Sequence, residues 1–358
     1  MSAEAVSTST LPADGLLTDI RTRRVVRFAL GATVSTGLAY LIGFELPFLV
    51  PILVAMLLGS PAPCPSLRAG VAFVAPVAVA AFLGVVLTRY VLQFAAIFLL
   101  IEFLVLYHIF YALAGGAAPL RMVWLLIAAL IIPLMGQASI GLSVGVALGL
   151  VEGAAIAIGA TWLSFGLLPD PPVSDSAPAG GLDAKPAKQV PPAEARAAFA
   201  RRALTVLFPM LALFFVMGWT SHAVILVYAA LLSLSPSFAA GWKQGKGMIA
   251  GNLIGGVTAI VFYQILIVWP SIRIFLLLTF VTGLVFANVI FSARPIAPLF
   301  KTAFNAVMLL VGMSVASTDA DASSNFYTRI VQIMMAVVYV AAASGWIEYL
   351  QRKRVNPV

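Results

Sequence analysis

Residues 169–198 read PDPPVSDSAPAGGLDAKPAKQVPPAEARAA. The stretch is rich in Pro, Ala, Asp and Lys and contains no apolar run. Such a composition suits a solvated linker rather than a packed element. On each side lies a long apolar block, and the two blocks repeat each other's landmarks. Arg23-Arg24 opens the first and Arg201-Arg202 the second. Leu58-Gly59-Ser60-Pro61 is matched by Ser233-Leu234-Ser235-Pro236, and Ala118-Pro119-Leu120-Arg121 by Ala297-Pro298-Leu299-Phe300-Lys301. Trp162 near the end of the first block is matched by Trp346 near the end of the second. The chain reads as an internal duplication joined at 169–198.

Composition decides the solvent. Of 358 residues, 62% are hydrophobic and 9% are charged, with a mean hydropathy of +1.07. A soluble domain carries about 25% charged residues. The runs are continuously apolar rather than alternating, which points to helices and not to a barrel. The expected fold is therefore an all-α integral membrane protein with about twelve transmembrane helices in two parallel six-helix repeats. Runs near the bilayer length of about 20 residues fall at 24–43, 46–60, 67–89, 91–113, 120–137 and 139–166. The second block gives 200–218, 222–236, 246–268, 271–291, 297–316 and 325–350. Run 46–60 is short and holds Pro47 and Pro51, so it reads as broken or tilted. The expected domains are a tail 1–22, a repeat 23–168, the linker 169–198, a repeat 199–350 and a tail 351–358.

The basic residues orient these spans. Eighteen of the 21 fall in the two tails, the linker or the turns on the same side; Arg89, Arg273 and Arg329 are the exceptions. This is the positive-inside pattern, so both termini and the linker are expected in the cytoplasm. The net charge of +8 is thereby explained by topology, and no nucleic-acid partner is expected. The partners expected are membrane lipid and a small-molecule substrate. The single cysteine, Cys64, excludes an internal disulfide. Residues 1–20 lack an apolar core, so no cleaved signal peptide is expected.

Small residues mark the helix-packing faces: Gly141, Gly145, Gly149 and Gly153 in the sixth span, and Gly247, Gly251 and Gly255 in the ninth. Ionisable groups at membrane depth are expensive and are functional candidates by default. The candidates for proton coupling are Glu152, Glu102 and His108. On a wheel of about 100° per residue, Glu152 falls about 20° from Gly145, inside the glycine stripe. Glu102 and His108 lie about 240° apart on that wheel and so occupy different faces. Candidates for the substrate path are Arg121 and Lys301, at matching positions in the two repeats, with Asn252, Asn288 and Asn305. For each of these, helix packing or topology is the competing reading. Two histidines and one cysteine do not make a usual zinc site, and no phosphate-binding loop is present. No catalytic residue, metal or cofactor is expected.

The run Lys246-Gly247-Met248-Ile249-Ala250-Gly251-Asn252-Leu253-Ile254-Gly255 and its weaker echo Arg68-Ala69-Gly70 carry a resemblance. They are similar to the fusaric-acid-resistance and aromatic-acid-exporter superfamily of bacterial inner-membrane proteins, whose six spans, cytoplasmic segment and six spans the chain also resembles. Many members carry a large cytoplasmic domain where this chain has a short linker. The resemblance implies inner-membrane efflux of small organic, often aromatic, anions. It also implies work beside a periplasmic membrane-fusion adaptor and an outer-membrane channel. Two alternatives stand. A major-facilitator transporter has the same span count, but its acidic, Arg-rich loop between spans 2 and 3 is replaced here by SPAPCPSLR. A non-transporting scaffold or channel component of an envelope complex would tolerate neutralisation of the buried acids.

Overall fold

In the middle of a bilayer no water reaches backbone N–H and C=O groups, so an uninterrupted apolar run closes its hydrogen bonds within itself as a helix. The structure, a computed structural model, describes residues 19–170, 191–234, 238–316 and 322–355. Within them the chain before the linker forms α1 Ile20–Leu41, α2 Leu49–Leu58, α3 Leu67–Tyr90, α4 Ala95–Ala114, α5 Pro119–Ala138 and α6 Ile140–Leu167. After it come α7 Ala193–Met217, α8 Ala223–Ser233, α9 Phe238–Val268, α10 Ile272–Ile290, α11 Ala297–Ala316 and α12 Ala322–Val355. There is no strand among the described residues.

Polar caps fix several starts. Asp19 accepts from the backbone N–H of Arg21 and Thr22, Ser66 from that of Ala69, and Ser139 from that of Leu142. Gly218 closes α7 at φ 64°, a left-handed conformation that a side chain would strain.

Eight helices, α3–α7 and α9–α11, have the length and apolarity to cross a membrane. The protein is a multi-pass helical membrane protein. By contrast, α2 and α8 hold 10 and 11 residues, about 15–17 Å at 1.5 Å per residue, or half a bilayer. α7 starts earlier than the apolar run, at Ala193, so the last residues expected in the linker are helical. Pro191-Pro192 keeps the chain extended up to that point, and Glu194 then suits the positive end of the helix. The rest of that linker, residues 171–190, lies outside the described residues, as do most of the N-terminal tail and the end of the C-terminal one.

Helices from both sides of the linker share each core. One core gathers around Phe28 of α1, Phe286 of α10 and Phe304 of α11. Phe28 and Phe304 meet edge to face at 5.0 Å. The other joins Phe98 of α4 and Leu130 of α5 to Leu207 of α7, Leu226 of α8 and Ile333 of α12. The most extensive pairings across the linker are α1 on α10 and α4 on α7. Arg21 donates to the backbone and side-chain oxygens of Asn288 at the end of α10, at 2.9 and 2.8 Å. Arg196 lies 4.5 Å over the Tyr111 ring near the end of α4. Cations suit helix C-termini. Where α6 ends, Arg27 is 3% exposed, donates to the Asp170 carboxylate at 2.8 Å, and stacks 3.8 Å over Phe165.

Candidate functional site

α3 and α4 follow each other in sequence but do not pack along each other. Each leans on α5, and the space left between them is a cleft of about 1320 Å³. Identifiable contacts hold the two walls apart. On one side, the Trp162 indole N–H of α6 donates to the Pro65 carbonyl at 2.8 Å and fixes the approach to α3. Gly70 and Gly84 then let α3 settle against Trp162 and against Ile132 of α5. On the other side, α4 is drawn onto α7 by Phe98 stacked near Phe215 at 4.8 Å, and by Phe103 against Phe208 at 5.2 Å.

The lining repeats every fourth residue, so each helix contributes one face. Those faces run from Leu67 to Leu87 on α3, from Ile101 to Ile109 on α4, and from Arg121 to Pro133 on α5. Pro76 and Pro133 lie inside α3 and α5. Lacking an N–H, each leaves the carbonyl four residues earlier, of Ala72 and of Ala129, without its helical partner. All four residues line the cleft.

Four ionisable side chains reach this otherwise aliphatic surface. Arg68 and Arg121, near the starts of α3 and α5, mark one end; His108 and Glu102 lie along α4. Among the described residues neither arginine forms an ion pair with an acid. His108 is exposed, and its Nδ1–H donates to the Leu104 carbonyl at 2.7 Å, which leaves Nε2 unused by that bond. Glu102 is 1% exposed, one turn from Phe98 and from Leu106, and its Oε1 is buried with no hydrogen-bond partner. Glu102 and His108 both line the cleft, from opposite edges of the arc that α4 presents to it.

The other candidates lie elsewhere. Glu152 is on the exposed side of α6. The glycine stripe beside it is filled: a Cβ on Gly149 would meet Leu46 at 2.8 Å, and one on Gly153 would meet Leu49 at 3.1 Å. Gly145 faces Glu45, while Gly141 has only Ser139 nearby. In α9, Gly251 and Gly255 press on α11; a Cβ on Gly255 would strike the Ala303 carbonyl oxygen. Gly247 makes an ordinary contact with Leu299. Asn252 is buried and bonded, accepting from Tyr228 Oη at 3.3 Å and donating to the Met248 carbonyl at 2.9 Å. Asn288 accepts from Arg21, and Asn305 is half-buried on α11. Lys301 reaches Gly59 at the end of α2, so it does not share the cleft with Arg121.

The comparisons with known proteins divide at the linker. Residues 24–163 match a family described as "Protein of unknown function (DUF2955)". Residues 207–343 match the family described as "Fusaric acid resistance protein-like". No curated protein and no solved structure matches the chain. An all-helical chain with eight helices fit to cross a membrane, carrying that match across most of its second half, resembles the fusaric acid resistance protein-like family of membrane transport proteins.

Proposed function

We infer that this protein is a proton-coupled efflux transporter of the bacterial inner membrane that moves small organic anions. On this reading it has two parallel repeats and both termini in the cytoplasm, is not an enzyme, and makes twelve crossings in which the short α2 and α8 span together with the chain beside them. Helix pairing supports the repeats: α3 packs on α5 and α6 as α9 packs on α11 and α12, and α4 docks on α7 as α10 docks on α1. Basic residues support the orientation.

The observation that carries the reading is Glu102, a buried carboxyl with an unpartnered oxygen on the wall of a large apolar cleft. A bare carboxylate is costly without water, a cation or a hydrogen bond. Filling and emptying the cleft changes access of water to it, and so couples its proton to substrate. The cleft's other ionisable groups are His108, Arg68 and Arg121. From α7, on the far side of α4, Arg196 contacts Tyr111, more than two turns along from Glu102. The exposed Glu152 has no comparable place in a path.

Reconstitution in liposomes with a panel of labelled carboxylic acids tests this. Glu102→Gln should insert normally and still exchange substrate down its gradient, yet lose accumulation driven by a pH gradient by tenfold or more. Glu152→Gln should keep both activities. Accumulation that survives in Glu102→Gln would refute the assignment.

A further inference from the structure

The cleft lining says which organic anion fits. This inference rests on the same cleft, though not on proton coupling. The chain has 23 Phe, 9 Tyr and 6 Trp, yet His108 is the one ring on the cleft wall, and the rest is Leu, Val, Ile, Ala, Pro and Gly around the ionisable groups. The nearby aromatic side chains are used in helix contacts instead, as Phe98 is with Phe215 and Phe103 with Phe208. A site for flat aromatic acids gains from stacking on rings, and this one offers a single imidazole and no Phe, Tyr or Trp.

The cleft is also long and open sideways. Its face on α3 runs from Leu67 to Leu87, about 30 Å at 1.5 Å per residue, which is the thickness of a bilayer's hydrocarbon. Because α3 and α4 do not pack together, the gap between them opens sideways between two helices long and apolar enough to cross a membrane. Rim side chains such as Val71, Val79 and Leu104 are exposed there. Arg68 and Arg121 stand at the end where long basic side chains reach the headgroup layer.

We propose that the α3–α4 cleft takes a single-chain aliphatic carboxylate directly from the cytoplasmic leaflet, its headgroup held between Arg68 and Arg121 and its chain lying along α3 toward Glu102. Chain burial gives no selectivity over lipid, since acyl chains are as apolar as Leu. The two guanidinium groups therefore select the head, an anionic carboxylate over the zwitterionic head of the surrounding lipid.

The probe is a sixteen-carbon fatty acid bearing a diazirine in mid-chain, with the purified protein in phosphatidylcholine nanodiscs and adducts located by peptide mass spectrometry. Adducts should concentrate on the α3 and α4 walls, around Val79 and Val105, over the outer face of α10 at Val281 and Val285. Unlabelled palmitate should compete and benzoate should not. Arg68→Gln with Arg121→Gln should lower cleft labelling at least fivefold and leave α10 unchanged, with Lys at both positions restoring part of it. Even labelling of all lipid-facing helices, equal labelling by a photoactive phosphatidylcholine, or displacement by benzoate would overturn the proposal. So would equal cleft labelling by a quaternary ammonium probe of the same length, since Glu102 would then be selecting a cation. No pH gradient enters the assay, so it fails or succeeds independently of coupling at Glu102.

Discussion

Arg27 and Glu102 are both buried, and the protein treats them in opposite ways. The guanidinium has a carboxylate, a carbonyl and a ring around it; one carboxyl oxygen of Glu102 has nothing. Removing the partner of a buried charge leaves that charge uncompensated. Asp170 is itself partly exposed, so Asp170→Asn should destabilise the folded protein by about 1–3 kcal/mol, measured by thermal unfolding in detergent, with transport at permissive temperature retained. The contrast between Glu102 and Glu152 shows how far a sequence can be read. A wheel gives the angle of Glu152 relative to Gly145, and two glycines of that stripe, Gly149 and Gly153, lie close against other side chains. It does not say which part of the arc a neighbour covers, and here Leu46 and Leu49 cover Gly149 and Gly153 while Glu152 is left open. Glu102 has no small-residue signature at all. Its environment comes from α7 on one side and from the gap before α3 on the other, both set by tertiary packing. A usable signal was present in Pro76 and Pro133, which loosen two helices at the cleft.

Helix positions were legible because each apolar run is long and the breaks between runs are Pro, Gly or charged. Helix partners were less so, because apolar faces look alike to each other and to lipid. Close approach separates them. Gly255 meets backbone that cannot retreat, whereas Gly159 of α6 has nothing within 4 Å. Gly255→Ala should therefore cost about 1–3 kcal/mol through overpacking of α9 against α11, while Gly159→Ala should be neutral or slightly stabilising in the same melting experiment. The start of α1 responds to acid. The backbone N–H of Arg21, and then the Thr22 side chain, hold the Asp19 carboxyl below its usual range. A depressed carboxylate contributes stability above its unfolded-state value and loses it as pH falls through the folded one. Amide protection at the first turn of α1, the exchange rate taken relative to its intrinsic value at each pH, should accordingly fall on acidification through that range and not on going from neutral to alkaline pH.

At the scale of the molecule, both cores draw helices from before and after the linker, so neither half encloses a core of its own. Orientation can be checked without mutation. Cys64, the sole cysteine, is exposed in the turn between α2 and α3. Impermeant maleimide should label it in inside-out vesicles and spare it in intact spheroplasts; the reverse would invert the topology. Local packing pushes the Cys64 thiol up, although the residue as a whole is exposed, so labelling should accelerate as pH is raised above neutral. The pairing of α1 with α10 also sets a schedule for synthesis. Arg21 and Asn288 are 267 residues apart, and a ribosome adding about 5–20 residues per second needs roughly 15–50 s to cover that interval. For all of that time the first helix made is without the helix it packs on most extensively. What is left to hold it in place while the chain is still growing is its own cluster of arginines, Arg21, Arg23, Arg24 and Arg27.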